Sequence, residues 1–398
     1  MKKMMLMGVV AGLSSAAFAG LYGDTPDAKH AWSVHDMHRP NPVKVTPAKE
    51  VGQPPSDAVV LFDGTKESFE KNWTDGNGKP CRWQYKPEEK AFALVLQAKG
   101  GQWQTGAGIA QTREEFADCQ LHLEFRYPAD ITGAGQMRGN SGVFLMKMHE
   151  IQLMESFGTD PAAMKNPNYA DGQCGAIYAE TPPLVNANRK PGEWQSYDIV
   201  FHRPVWKAGV LVHPGTVTLF HNGVLVQDHW ELEGLTTHCK RRPYAEYAEK
   251  APLFFQDHGC PISIRNVWYR PLASRWANTT HSCMSGVEAD VMALRRETAA
   301  KLYAAIPDKE SVSCANAAAL AEVVAYAKEG EYDAQWRKIA TALAEELGKK
   351  GDDELKKMQT EITMARRASD VLFRNKIVTD KCVLRQRLLE ICNKFQWK

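Results

Sequence analysis

Charge of one sign is the first thing this 398-residue chain lacks. Lys and Arg number 49 against 47 Asp and Glu, so no net field favours a nucleic-acid backbone or an anionic lipid surface, and neither partner is expected. Long apolar runs are scarce too, and outside the first twenty positions none reaches the length of a membrane-spanning helix. The nine cysteines contain no C-x-x-C and no C-x-x-C-H, which excludes a dithiol redox motif, a zinc knuckle and c-type haem attachment. No Gly-x-Ser-x-Gly elbow occurs. Gly139-Asn140-Ser141-Gly142 has the wrong spacing, so a Ser-His-Asp hydrolase is set aside. With 44% apolar and 24% charged residues, the chain reads as globular, and its length asks for two or three domains rather than one small core.

Residues 1–19 carry Lys2 and Lys3, then an apolar stretch, then Ala17-Phe18-Ala19 before Gly20. That order is a secretory signal with an A-x-A type cleavage site, and it places the mature chain in a secreted or periplasmic setting. Losing the two lysines balances the charges at 47 each. An oxidising compartment permits disulfides, and proximity suggests Cys239 with Cys260 and Cys283 with Cys314, although spacing does not determine connectivity.

Residues 20–57 are rich in proline and should run extended across a surface. From 58 to 272 short β-rich runs alternate with Gly, Pro and Asn turns, the pattern of a sandwich or barrel, and His221-Asn222-Gly223 marks a hairpin. Residues 273–284 read as a linker. From 285 to 398 Pro and Gly nearly vanish and apolar residues recur at helical spacing, as in Trp336, Ile339, Leu343 and Leu347, predicting four or five amphipathic helices in a small bundle.

Period-two alternation separates a core face from a polar one. In the run 121–127 the apolar set Leu121, Leu123, Phe125 and Tyr127 leaves His122, Glu124 and Arg126 on the other face. The same parity puts Glu150 and Gln152 opposite Ile151 and Leu153, and pairs Gln256 with His258; Arg265 falls opposite Ile264 and Asn266. If these strands are neighbours in one sheet, carboxylate, amide, imidazole and guanidinium groups converge on one polar concave face. Trp83, Trp103, Trp194 and Trp230 are potential sugar platforms, though such aromatics more often fill a sandwich core.

Ordered along the same region stand Leu61-Phe62-Asp63-Gly64-Thr65, Leu123-Glu124-Phe125-Arg126, Gly139-Asn140-Ser141-Gly142-Val143-Phe144, Glu150-Ile151-Gln152-Leu153, Gly175-Ala176-Ile177-Tyr178, Gly192-Glu193-Trp194-Gln195-Ser196-Tyr197 and Gln256-Asp257-His258-Gly259. This series resembles the 3-keto-disaccharide hydrolase domain family, a concanavalin-like jelly roll. A departure stands at Met154-Glu155-Ser156, where the family often has Asp. The resemblance implies a mainly β fold with a jelly-roll β-sandwich, followed here by a small α-helical C-terminal domain. It also implies a carbohydrate substrate already oxidised to a ketone at C3. Such a ketone acidifies the C2 proton; its loss expels the group at C1, and water then adds to the enone.

That chemistry needs a base, a stabiliser for the enolate oxygen and an acid for the leaving oxygen. Glu150 or His258 suits the base and Arg126 and Arg265 the stabiliser, with Glu124 orienting Arg126. Asn140, Gln152 and Gln256 suit sugar hydroxyls. A divalent metal held by carboxylate, imidazole and amide oxygen would also serve the enolate, but the spacing names no ligand set. The alternative reading is a non-catalytic carbohydrate-binding or scaffold protein using the same groove. A lectin has no use for Glu150 and His258 beside two arginines.

Overall fold

Alternating apolar residues become antiparallel strands in the computed structural model, which describes residues 23–99, 102–104, 106–158, 169–246, 248–273, 288–328 and 330–397. The proposed signal segment, Cys283 and most of the proposed linker lie outside these residues. In chain order the elements are β1 (Val59–Phe62), α1 (Lys66–Asn72), β2 (Trp73–Thr74), β3 (Gln84–Lys86), β4 (Ala91–Leu94), β5 (Gln97–Lys99), β6 (Gln102–Gln104), β7 (Ala110–Phe116), β8 (Cys119–Arg126) and β9 (Ser141–Leu145). They continue with β10 (His149–Leu153), β11 (Gln195–His202), β12 (Val205–Lys207), β13 (Val210–His213), β14 (Thr216–His221), β15 (Val224–Glu231), β16 (Ala251–Phe255) and β17 (Ile262–Pro271). Helices follow: α2 (Glu288–Ala305), α3 (Cys314–Tyr326), α4 (Glu331–Lys349), α5 (Asp352–Lys357), α6 (Gln359–Arg374) and α7 (Val383–Phe395).

Two compact units divide between Pro42 and Val43 and between Ser274 and Arg275. The sheet unit is a jelly-roll sandwich. One sheet runs β15-β14-β11-β8-β17-β4-β3 with β1 also on β17, and the other runs β10-β9-β16-β7-β2. Leu121, Leu123, Phe125, Ile199 and Ile264 of the first sheet share one core with Val143, Ile151, Leu153 and Phe255 of the second. Each such side chain removed from water stabilises the fold by about 1.5–3 kcal/mol. The hairpin forms where expected: Asn222 (φ 53°) and Gly223 (φ 79°) take the left-handed backbone that a type I′ turn between β14 and β15 requires.

The helical unit is built around α3, whose Ala317, Ala318, Leu320, Ala321, Val323 and Val324 are all buried and which packs against α2, α4 and α6. Among the described residues six helices replace the expected four or five. The two missed are α5, only six residues long, and α6, which buries Ile362, Ala365, Ala368 and Leu372, a stripe too rich in alanine to register as a periodic run of large apolar residues. The proline-rich stretch is shared between the units. In the helical unit the Tyr326 hydroxyl donates to Asp36 and His38 pairs with the buried Glu322 at 2.8 Å. In the sheet unit the Gly52 carbonyl accepts from Asn266 Nδ2 at 2.8 Å and Trp268 Nε1 at 2.9 Å.

The suggested Cys239–Cys260 disulfide is not formed. Both are free thiols, Cys239 exposed and Cys260 buried, and Cys314 is free as well.

Candidate active site

The second sheet turns a polar, partly aromatic face away from the core. Register places Glu150 opposite Phe144 and Gln152 opposite Gly142 across β10 and β9, and Phe144 opposite Phe254 across β9 and β16. Phe144 and Phe254 stack with centroids 4.4 Å apart at 10°. Immediately after β16, Gln256 and His258 extend this face. A cleft of about 220 Å³ lies here, lined by Asn140, Phe144, Glu150, Gln152, Tyr178, Thr236, Thr237, His238, Gln256 and His258. Glu150, Gln152, Gln256, His258 and Asn140 are therefore brought together.

Glu150 is only 5% exposed. Burial pushes its carboxyl up to about 8, because taking the anion out of water costs more than taking out the neutral acid. Space for the carboxyl comes from Gly142, where an added Cβ would lie 2.3 Å from Glu150 Oε1. Gln152 is held rigidly. Its Nε2 donates to Asn140 Oδ1 (2.9 Å), Ser141 O (2.8 Å) and Leu153 O (3.0 Å), three acceptors that fix the orientation of the amide. Asn140 Nδ2 in turn donates to Gln136 O at 3.0 Å and Oε1 at 2.9 Å. The Oε1 atoms of Gln152 and Gln256 are buried with no partner among the described residues. A buried acceptor left this way costs stability unless a ligand donates to it, and sugar hydroxyls are such donors.

The loop carrying His258 is pinned on both sides. Ser141 Oγ donates to Gln256 O at 2.8 Å, the Gln256 N–H to Gly142 O at 3.0 Å, and Asp257 accepts from the Gly108 and Gly259 N–H groups at 2.9 and 3.0 Å. His258 itself is exposed at the cleft rim.

Sequence reasoning missed Phe144, Tyr178, Thr236, Thr237 and His238 as site residues. Tyr178 arrives by a long-range pairing of 175–178 with β10, in which the Gly175 N–H donates to Gln152 O (3.0 Å) and the Tyr178 N–H to Glu150 O (3.1 Å). Thr236 arrives through its Oγ1, which accepts from the Glu150 N–H at 2.9 Å. The piece Gly175-Ala176-Ile177-Tyr178 was the only signal for the first of these; nothing local marks the second.

Arg126, Arg265 and Glu124 are elsewhere. Strands β8 and β17 belong to the first sheet and β10 and β16 to the second, so the single polar face inferred from parity is two faces. Glu124 does not orient Arg126: it accepts from Arg265 Nε at 2.6 Å, while Arg126 pairs with Glu89 at 2.5 Å. Both guanidinium groups lie over the Trp194 ring, at 4.7 and 4.0 Å from its centroid. Burial works to raise the Glu124 carboxyl, but the charged His122 and hydrogen bonds from Asn266 and Arg265 outweigh it and bring it to about 2. Burial likewise opposes the His122 cation, yet Asp198, at 2.6 Å, and Glu124 raise it to about 9. This is a structural charge network. Arg265→Met should therefore leave turnover within about twofold while lowering stability by roughly 1–3 kcal/mol, as Glu124 loses a hydrogen-bonded partner; a thermal melt and an assay on the same sample check both, and a hundredfold loss of turnover would return the arginine to the chemistry.

The remaining expectations also resolve. Glu155 is buried against Arg138, which donates to it, and Phe157 N–H donates to its Oε1 at 2.8 Å, so it supports the loop rather than the cleft. Trp83 is core, Trp194 lies under the arginines and Trp230 donates to Glu180 at 2.7 Å; the Trp103 side chain lies outside the described residues. The aromatic wall of the cleft is instead Phe144, with Phe254 stacked on it, and Tyr178. Among the described residues no group of three or more His, Cys, Asp or Glu side chains is arranged to hold a metal ion, so a metal in the cleft would need mixed donors such as Glu150, His258 and the amide oxygens of Gln152 and Gln256.

A family model described as a 3-keto-alpha-glucoside-1,2-lyase-like domain matches residues 57–270. Among solved structures, a protein of Parabacteroides distasonis ATCC 8503, provisionally assigned as a glycosyl hydrolase, is 36% identical with a TM-score of 0.52 over 61% of this chain and 98% of its own. Another from the same organism, with the same provisional assignment, is 18% identical with a TM-score of 0.37 over 58% of this chain and 100% of its own. The alginate lyase Aly36B is 9% identical with a TM-score of 0.31 over 55% of this chain and 98% of its own. No curated protein matches the chain.

Proposed function

The chain belongs to the 3-keto-alpha-glucoside-1,2-lyase-like domain family, and from that premise we propose that its cleft cleaves 3-keto-glycosides by β-elimination, with water adding to the enone where hydrolysis is completed. The observation that carries this reading is Glu150, a buried carboxyl ionising near pH 8 beside two unpartnered amide oxygens and an imidazole. A proton abstractor works best when its pKa lies near the operating pH. Carboxylates at their ordinary pKa are weak bases; this one is stronger. A binding protein would gain nothing from it, which disfavours the non-catalytic reading.

Glu150 takes the C2 proton, and the electron pair delocalises into the C3 carbonyl as an enolate. The pinned loop carrying Gln256 and His258 offers amide and imidazole N–H donors to that developing oxyanion, in place of the arginines the sequence suggested. The pyranose ring lies against Phe144, and the Oε1 atoms of Gln152 and Gln256 accept from ring hydroxyls.

Release of the leaving group from a 3-keto-glucoside and from its parent glucoside, with and without chelator, tests the reading. Only the keto substrate should react. Equal cleavage of the parent, or silence on both, would overturn it. A neutral amide hydrogen-bonds but moves no proton at neutral pH, so Gln256→Ala should raise KM about tenfold, the worth of one hydrogen bond to a ring hydroxyl, and lower kcat by about 10²–10³ through the lost oxyanion donor.

A further inference from the structure

Building on the lyase reading, we propose that Tyr178, backed by His238, is the acid that protonates the departing C1 oxygen. The reaction makes three demands at three consecutive carbons: an acid at the C1 oxygen, a base at C2–H and donors at the C3 oxygen. The order across the sheet is the same. The 175–178 segment bearing Tyr178 pairs with β10, which bears Glu150; β10 pairs with β9, and β9 with β16, whose end bears Gln256 and His258. Tyr178 thus stands on one side of Glu150 and the oxyanion donors on the other.

Its surroundings fit proton delivery. The Tyr178 hydroxyl is 2.7 Å from His238 Nδ1 and 2.9 Å from the Tyr169 hydroxyl, and His238 Nε2 is 3.1 Å from Cys239 Sγ. Tyr178 is 9% exposed whereas His238 is exposed, so the imidazole links a shielded phenol to water. Burial pushes the phenol well above its ordinary range, which keeps it protonated and ready at neutral pH.

As the C1–O bond breaks, its electron pair leaves with the oxygen, which takes the Tyr178 proton. The enolate pair forms the C1=C2 bond and the C3 carbonyl is restored. The phenolate then recovers a proton from His238 Nδ1–H as Nε2 takes one from water, and the hydroxide left is neutralised when Glu150 releases the C2 proton to solvent. No external oxidant or reductant is needed.

Leaving-group dependence separates an acid from a structural tyrosine. With a 3-keto-glucoside of an aliphatic alcohol, Tyr178→Phe should lose about 10²–10⁴ in kcat; with the 4-nitrophenyl compound, whose phenolate departs without a proton, it should lose less than about tenfold. His238→Gln should show the same dependence at smaller amplitude and stands in if the Tyr178 variant does not fold. In heavy water Tyr178→Phe should still exchange deuterium into C2 of the alcohol glycoside, because Glu150 still forms the enolate, and Glu150→Gln should not. Equal losses on both leaving groups, or loss of C2 exchange in Tyr178→Phe, would overturn the assignment while leaving the lyase reading intact. Wild-type protein silent on both compounds would overturn the lyase reading itself.

Discussion

Glu150→Gln should lower turnover of a 3-keto-glycoside by about 10²–10⁴ and, in the same protein, raise the melting temperature at alkaline pH. The two effects share one cause. In the fold Glu150 keeps its proton up to about pH 8, whereas in the unfolded chain it releases it near the ordinary 4.5. Between those values the folded state binds more protons, so this residue makes stability fall as pH rises across the window. Glutamine mimics the protonated acid at every pH, so the variant and wild type should melt alike below about pH 4.5 and diverge progressively to about pH 8, each kcal/mol relieved being worth roughly 2–4 °C. Wild-type kcat/KM should climb about tenfold per pH unit below 8 and level off above it, and the variant should lose that limb. Melting curves and pH–rate profiles of both proteins check this. A variant no more stable than wild type at about pH 9 would mean that the carboxyl is not buried as an uncompensated acid.

Gly142→Ala should cost about 10² or more in rate with the sandwich still folded. Gly142 is not among the glycines with left-handed backbone, so space alone demands it: the new methyl would stand 2.3 Å from Glu150 Oε1 and 2.8 Å from Cδ and Cγ. The carboxyl must swing aside, and a displacement of about 1 Å at a reacting group can cost a hundredfold. Pushed toward water, Glu150 should also ionise at lower pH, shifting the pH–rate limb in the acid direction. Because both changes act through one group, Gly142→Ala added to Glu150→Ala should lose little more than Glu150→Ala alone. Circular dichroism, single-turnover rates and the double variant decide it; full activity in Gly142→Ala would show that the observed carboxyl position is not the reacting one.

Local pattern alone determined a good part of this protein. Alternation put Glu150 and Gln152 on the face opposite Ile151 and Leu153, and Asn222-Gly223 announced its hairpin, because a strand's two faces and a turn's backbone angles depend on residues only a few positions apart. The helical composition after residue 285 announced helices for the same reason. Which sheet a strand joins is not such a property. Strands β8 and β10 carry the same alternation, yet one pairs with β17 and β11 and the other with β9, so the arginines and Glu150 could be separated only by long-range hydrogen bonding. Tyr178 and Thr236 reach Glu150 through backbone and hydroxyl contacts with β10 that no sequence period encodes. The proton affinity of Glu150 is likewise a tertiary quantity: it comes from what covers the carboxyl, the Gly142 gap and the loops above it, and not from the strand that carries it.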